Sequence, residues 1–202
     1  MEKLKTYFLN IYNLIPAPIY GLLSALVGLG GDIIAIALFP GFNLNHMISA
    51  LGAGPGAIYF NIGTIISGIF ALLFYLYMIK IIGKETNNPR IQKVGRFFAI
   101  NSCIFFSLVG VFPTSTTMIL FVLHGTFALI SWLSAIIYLS IFSNLIFKNK
   151  NFPNFFGYLA LITAGTIIVF LLTWVPIIEW IMALEITLWI TLPSAYMLYR
   201  KI

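Results

Sequence analysis

Three titratable side chains, Asp32, His124 and Glu185, stand inside long apolar stretches of the sequence. A charged group is costly there and is usually kept for a function. The depth of each group can be counted from the nearest end of its apolar stretch, at about 1.5 Å per helical residue. All three groups then lie ~12–13 Å below the same, outer end of a predicted helical bundle. Three different helices therefore place a titratable group at one depth, which predicts a shared polar site in the outer half of the membrane.

Small and polar residues recur at helical spacing beside these groups. Small residues let helices approach closely, and polar residues bond across the contact. Asp32, Asn61 and His124 are therefore expected to face the interior of the bundle, whereas the orientation of Glu185, one turn before Trp189, stays open. The stripes are Ser24, Gly28 and Asp32 in the first helix, Asn61, Thr64 and Gly68 in the second, and His124, Ala128, Ser131 and Ala135 in the fourth.

The connection between the first two predicted helices, residues 41–56, is called the lid below. It is the outer connection richest in side chains that form hydrogen bonds, namely Asn43, Asn45, His46 and Ser49. A short interfacial helix is predicted around His46 to Ala50, and the glycines that follow permit sharp turns before the second span. The functional interpretation is that the lid covers the titratable level and contributes His46. The alternative is an ordinary solvated loop.

Six residues form the candidate polar cluster, and three interpretations of it stay open. In the first, the groups satisfy one another, through an Asp32–His124 ion pair or a protonated Glu185 that donates to a carbonyl. In the second, they line a cavity that binds a ligand or a lipid headgroup. In the third, two histidines and two carboxylates hold zinc for acid–base chemistry, although no compact metal-binding spacing supports it. The sequence names no catalytic residue and indicates no other cofactor. The cluster is Asp32, His46, Ser49, Asn61, His124 and Glu185, and the zinc set within it is Asp32, His46, His124 and Glu185.

The composition requires an apolar solvent around these residues. Of 202 residues, 61% are hydrophobic and 8% are charged, with a mean hydropathy of +1.04, whereas soluble proteins carry about 25% charged residues. About 20 apolar residues span a bilayer as a helix, and the apolar runs lack the alternation of a membrane β-barrel. The sequence therefore predicts an all-α polytopic membrane protein with a single integral domain, residues 1–202. Its six predicted spans are 19–39, 57–82, 97–112, 117–147, 155–175 and 177–197.

Lysine and arginine determine the predicted orientation. All 11 lie before the first span, around the connection between the second and third, after the fourth, or at the end of the chain. The three opposite connections contain none. Because cytoplasmic loops are enriched in these residues, we expect a cell-membrane protein with both termini in the cytoplasm. The same distribution accounts for the net charge of +6, so no nucleic-acid partner is predicted.

Residues 46–68 carry a family resemblance. The run HMISALG and the later segments GP, FNIG and SG resemble the prokaryotic six-helix membrane family catalogued as domain of unknown function 998. Members of that family typically carry Ser-(Asp/Glu)-Leu-Gly after the first span, and here Ala50 stands in place of the acid. The family is more distantly similar to eukaryotic six-helix proteins linked to lipid remodelling and lipid-kinase scaffolding, which implies membrane lipid as a partner.

Three functions remain compatible with the sequence. The first is a non-enzymatic membrane protein that binds lipid or a small molecule in the outer half of the bundle, or that serves as a subunit of a larger membrane complex. The absence of a recognisable catalytic motif favours it. The second is an intramembrane hydrolase or transferase acting on lipid, with or without zinc. The third is a proton-coupled transporter built on Asp32 and His124.

Overall fold

Six α-helices joined by short connections make up the chain in the computed structural model, which describes residues 15–86, 88–114 and 117–202. The basic residues Lys3 and Lys5 precede this described part. All six helices are long and apolar enough to cross a membrane, and the described residues form no strand. The predicted all-α, six-helix, multi-pass membrane architecture is thus confirmed. The helices are α1 (Ala17–Ala37), α2 (Ala57–Ile82), α3 (Pro89–Val111), α4 (Met118–Lys148), α5 (Asn154–Thr173) and α6 (Pro176–Arg200), with a 3-10 helix (Ile48–Ala53) between α1 and α2.

The helix ends follow local capping chemistry more closely than hydropathy. α3 begins at Pro89, earlier than the span predicted from residue 97, because the Asn88 side chain accepts hydrogen bonds from the backbone N–H groups of Arg90 (3.1 Å) and Ile91 (3.3 Å). A proline at the first helical position loses no helical hydrogen bond, so this polar turn is a favourable start. α5 ends slightly earlier than predicted, since Trp174 adopts a left-handed backbone conformation (φ 53°).

The helices form a closed ring. Each helix packs against the next one in the chain, and α6 packs back against α1. Close approach of α1 and α2 depends on glycine: a Cβ atom on Gly31 would lie 2.6 Å from the carbonyl oxygen of Tyr59 and 3.2 Å from the Cα atom of Gly63. Two members of the small-residue stripe predicted on α1 face α2 as well: Ser24 donates to the Ser67 carbonyl (2.9 Å), and a Cβ atom on Gly28 would lie 3.1 Å from the Ser67 hydroxyl oxygen.

Large buried side chains fill the interior of the bundle along one half of its length, opposite the half that carries residues 41–56. Phe74, Phe142 and Trp189 are 0% exposed and belong to a continuous core in that half. The other half holds a much smaller cluster built on Leu51 and Phe60. The outward faces of the helices remain apolar and exposed, as lipid contact requires; Leu172 of α5, for example, is 79% exposed.

The described basic residues all lie at the densely packed end of the ring. They lie in the last turn of α2 or just after it, in the first turns of α3, at the end of α4 or just after it, and at the end of α6. We call this the basic end, and the opposite end, which carries residues 41–56, the lid end. The connections at the lid end contain no lysine or arginine. The charge asymmetry in the sequence is thus an asymmetry between the two ends of one bundle.

Candidate ligand-binding cavity

A cavity of about 180 Å³ opens inside the ring, between the lid and the buried core of the basic half. Residues of α1, α2, α3, α4 and α6 line it, together with Ile48 and Ser49 of the 3-10 helix, whereas α5 lies outside its wall. Tyr75, Tyr138 and Ile190 mark its deep end, and Asp32, Glu179 and Ser49 mark the end beneath the lid. The cavity is therefore apolar in depth and acidic at its mouth.

Asp32 lines the cavity, as the sequence predicted. It lies on the same face of α1 as Ser24 and Gly28, which are also lining residues. The Asp32 side chain is half-buried, and its carboxylate accepts no hydrogen bond from any residue that the structure describes. A second carboxylate, that of Glu179, lines the same cavity. Asp32 thus presents free acceptor atoms to the cavity.

The second acid of the mouth is Glu179, which the sequence analysis did not single out. Its side chain is 3% exposed, and Oε2 accepts a hydrogen bond of 2.7 Å from the backbone N–H of Ile48. Ser49, the next residue of the 3-10 helix, lies beside the same carboxylate in the cavity wall. A carboxylate in the first turn of a helix that begins with Pro176 reads as a favourable helix start. The spacing to Met182, Ile186 and Ile190, at i+3, i+7 and i+11, is the signal that places it on the inner face.

The lid lies folded onto the mouth of the cavity. The indole Nε1–H of Trp180 donates to the His46 carbonyl (3.0 Å), and the ring of Phe42 packs against that of Trp180 at 5.8 Å. Leu51 is 0% exposed, and the Asn61 amide Nδ2 donates to the Gly52 carbonyl (3.2 Å). The first turn of α6 and the first turns of α2 therefore hold the lid from two sides.

Two members of the predicted cluster belong to the lid's attachment and not to the cavity. The His46 side chain is exposed and stacks on Phe42 with ring centroids 5.2 Å apart, outside the cavity. Asn61 anchors Gly52 and is likewise absent from the cavity wall. Of the lid's predicted contributors, Ser49 alone reaches the cavity, because the 3-10 helix turns it inward.

His124 lines the cavity but is committed to a neighbouring helix end. Its Nδ1 atom lies 3.0 Å from the carbonyl oxygen of Phe112, so Nδ1–H is the donor, and the Val109 carbonyl lies close by. The last carbonyls of a helix lack intrahelical partners, and His124 supplies one for α3. No hydrogen bond or ion pair joins His124 to Asp32 among the described residues, so the pair expected from their shared depth does not form.

Glu185 lies on a different face of α6. It is six residues from Glu179, which corresponds to a rotation of about 240° around the helix. Glu185 is absent from the cavity wall, and its Oε2 atom is buried without a hydrogen-bond partner among the described residues. Glu185 thus shares the depth of Asp32 but not its place in the cavity wall.

Hydroxyl groups in the cavity wall bond mainly to backbone carbonyls. Ser24 of α1 donates to the Ser67 carbonyl of α2 (2.9 Å), and Ser131 of α4 donates to the Ser102 carbonyl of α3 (2.9 Å). These bonds tie adjacent helices together. They leave the two carboxylates as the dominant polar feature of the cavity.

The residues proposed for zinc are not brought together. Asp32 and His124 lie in the cavity wall, His46 lies on the outer surface of the lid, and Glu185 lies on another face of α6. Within the described ranges, no group of three His, Cys, Asp or Glu residues is placed to hold a metal ion. The zinc-dependent form of the enzyme hypothesis used this set, and the transporter hypothesis used the Asp32–His124 pair. The described residues form neither arrangement.

The family described as Protein of unknown function (DUF998) matches residues 22–196. The chain belongs to this family. In this DUF998 protein the matched segment begins within α1 and ends within α6, so it includes the lid and both acids of the cavity mouth. The resemblance seen at residues 46–68 is thus part of a match to nearly the whole bundle. No curated protein and no solved structure matches the chain.

Proposed function

We propose that this protein binds a small amphiphilic molecule in the cavity, with the apolar part of the ligand in depth and a cationic group at the Asp32 carboxylate. The observation that carries the proposal is the carboxylate of Asp32, which lines a mainly apolar cavity and has no hydrogen-bond partner among the described residues. Ligand sites are typically apolar cavities with a few convergent polar groups.

Charge complementarity favours an amine as the polar group of the ligand. The described residues that line the cavity include two carboxylates, Asp32 and Glu179, and no lysine or arginine. Glu179 is occupied by the lid, through Ile48. Asp32 therefore needs a positive charge or a hydrogen-bond donor from outside the protein, because an isolated carboxylate in an apolar site is unfavourable.

We expect a short alkylamine to stabilise the purified protein more than an alcohol or an acid of the same length. The probes are hexylamine, hexanol and hexanoate, which share the apolar part and differ only in the polar group. The measurement is the melting temperature in detergent at increasing probe concentration. The amine gains a charge-assisted hydrogen bond to Asp32, whereas hexanoate meets two like charges. When the free concentration of a probe is 100 times its dissociation constant, binding stabilises the folded protein by about 2.7 kcal/mol.

Asp32→Asn and Glu185→Gln form the matched pair for this experiment. Both replace a carboxylate within a membrane-spanning helix by an amide, but Asp32 lines the cavity and Glu185 does not. The preference for hexylamine should disappear in Asp32→Asn and persist in Glu185→Gln. Equal shifts with hexylamine and hexanol in the unsubstituted protein, or a preference that survives Asp32→Asn, would overturn the proposal.

We also propose that the protein lies in the cell membrane with its basic end, and therefore both termini, in the cytoplasm. The support is the distribution of lysine and arginine, which are absent from the connections at the lid end. In a bacterial host, green fluorescent protein fused after Ile202 should fluoresce, and alkaline phosphatase fused there should be inactive. An active phosphatase fusion would show the opposite orientation, with the lid on the cytoplasmic side.

A further inference from the structure

A second groove lies on the outer surface of the bundle at the basic end, between α3 and α4. We propose that it binds the headgroup of an anionic phospholipid, with an acyl chain along the apolar surface beside it. The groove has a volume of about 440 Å³ and is open to the surroundings of the protein. Its lining includes Arg90 and Val94 of α3 and Ser140, Ile141, Asn144 and Lys148 of α4.

A polar stripe on α4 forms one wall of the groove. Ser140, Asn144 and Lys148 recur at intervals of four and are all exposed, so they share one outward face. Asn144 forms no hydrogen bond with any described residue, and at ~1.5 Å per residue it lies ~6 Å from the level of Lys148. Lipid tails offer no hydrogen bonds, so an outward-facing amide near a helix end fits the headgroup layer.

Two positive charges line the groove, Arg90 from α3 and Lys148 from α4, and both residues are exposed. Glu85 is the one described acid at the basic end, and its carboxylate is engaged elsewhere. It accepts hydrogen bonds from the backbone N–H of Lys150 (3.0 Å) and from the side chain of Asn151 (3.1 Å). The groove charges are thus left for an external anion, and basic pockets between membrane helices bind anionic headgroups.

The apolar surface beyond the charges fits an acyl chain. Val94 (44% exposed) and Phe97 (57%) continue the groove along α3 towards the middle of the bundle, and Ile137 (37%) and Leu133 (48%) do so along α4. Gly95 lets α3 and α4 approach closely beneath the groove, since a Cβ atom there would lie 2.8 Å from Ile141. Charge at the helix ends with apolar surface further in is the polarity of a phospholipid, which favours lipid over a free anion.

Native mass spectrometry of the full chain tests this proposal. The protein is released from detergent after incubation with equal amounts of phosphatidylglycerol and phosphatidylcholine that have identical chains. We expect preferential retention of phosphatidylglycerol by the unsubstituted protein. Arg90→Gln combined with Lys148→Gln should lower that retention on the order of tenfold. Asn144→Leu should lower it with no change in net charge.

The control is Lys84→Gln combined with Lys201→Gln, which removes the same charge from the same end of the bundle outside the groove. It should retain phosphatidylglycerol as the unsubstituted protein does. Equal losses in both double variants, or unchanged retention in Asn144→Leu, would overturn the proposal, since bulk attraction to the basic end would then suffice. Displacement of the lipid by millimolar inorganic phosphate would instead assign the groove to a free anion. Should the first double variant fail to fold, Arg90→Gln and Asn144→Leu alone decide the question.

Discussion

Gly31→Ala is expected to destabilise the bundle by about 1–3 kcal/mol, the usual cost of overpacking a tight contact. The added Cβ atom would lie 2.6 Å from the carbonyl oxygen of Tyr59 in α2, and a backbone atom cannot move aside as a flexible side chain can. α1 and α2 must therefore separate. The measurement is the midpoint of unfolding of the purified protein, by heat in mild detergent or by titration with sodium dodecyl sulfate.

The neighbouring glycine provides the control. A Cβ atom on Gly30 meets nothing within 4 Å, so Gly30→Ala makes the same chemical change without the clash. It is expected to leave the midpoint unchanged or to raise it, because alanine favours helix over glycine by about 1 kcal/mol. Similar midpoints for the two variants would show that α1 and α2 tolerate separation. Since Asp32 follows Gly31 directly, Gly31→Ala should also weaken the response to hexylamine.

Glu179→Ala is expected to release the lid. The substitution removes the acceptor of the Ile48 N–H, and a buried donor left without a partner costs about 1–3 kcal/mol, more where the lost partner was charged. The 3-10 helix should then open more often. We expect backbone amide exchange in residues 48–53 to accelerate by about tenfold or more, because about 1.4 kcal/mol corresponds to a factor of ten. Hydrogen–deuterium exchange with peptide mass analysis measures this change.

Two comparisons separate lid release from general loss of stability. Glu179→Gln keeps an oxygen that can accept the Ile48 N–H, so the acceleration should be smaller than in Glu179→Ala. Glu185→Leu removes a carboxylate whose Oε2 atom is buried without a described partner, and it should leave the lid unchanged and the bundle as stable or more so. Two results would contradict the role of Glu179 in holding the lid. One is faster exchange throughout α4 and α5 in Glu179→Ala, and the other is the same rate of lid exchange in Glu179→Ala and Glu185→Leu.

The lid and the ligand site share one structural element, the first turn of α6. Glu179 holds Ile48, Trp180 holds the His46 carbonyl, and the next turns of the same helix line the cavity beside Asp32. A cationic ligand bound at the mouth also attracts the Glu179 carboxylate. It therefore competes with the hydrogen bond between Glu179 and the Ile48 N–H that holds the lid closed. In this proposal, binding and lid position are coupled through Glu179, so hexylamine should alter lid exchange in the unsubstituted protein.

The sequence by itself determined the number of helices and the difference between the two ends of the bundle. Hydropathy suffices for the spans because a helix must present some 20 apolar residues to lipid, whatever its neighbours are. It also predicted that Asp32 faces inward, since Ser24 and Gly28 mark the contact face of α1. Hydropathy missed the polar first turns of α3, because local capping by Asn88 extends the helix beyond the apolar span.

Only the tertiary structure decided which polar groups meet. Asp32, His124 and Glu185 share a depth, but the rotation of each helix about its axis determines what each side chain faces, and the rotation depends on packing against both neighbours. His124 contacts the end of α3, Glu185 lies outside the cavity wall, and Glu179 is the α6 acid beneath the lid. The depth of a residue in a helix can be calculated from the sequence, because each residue adds a constant rise. The direction in which its side chain points around the helix axis depends on how all six helices pack.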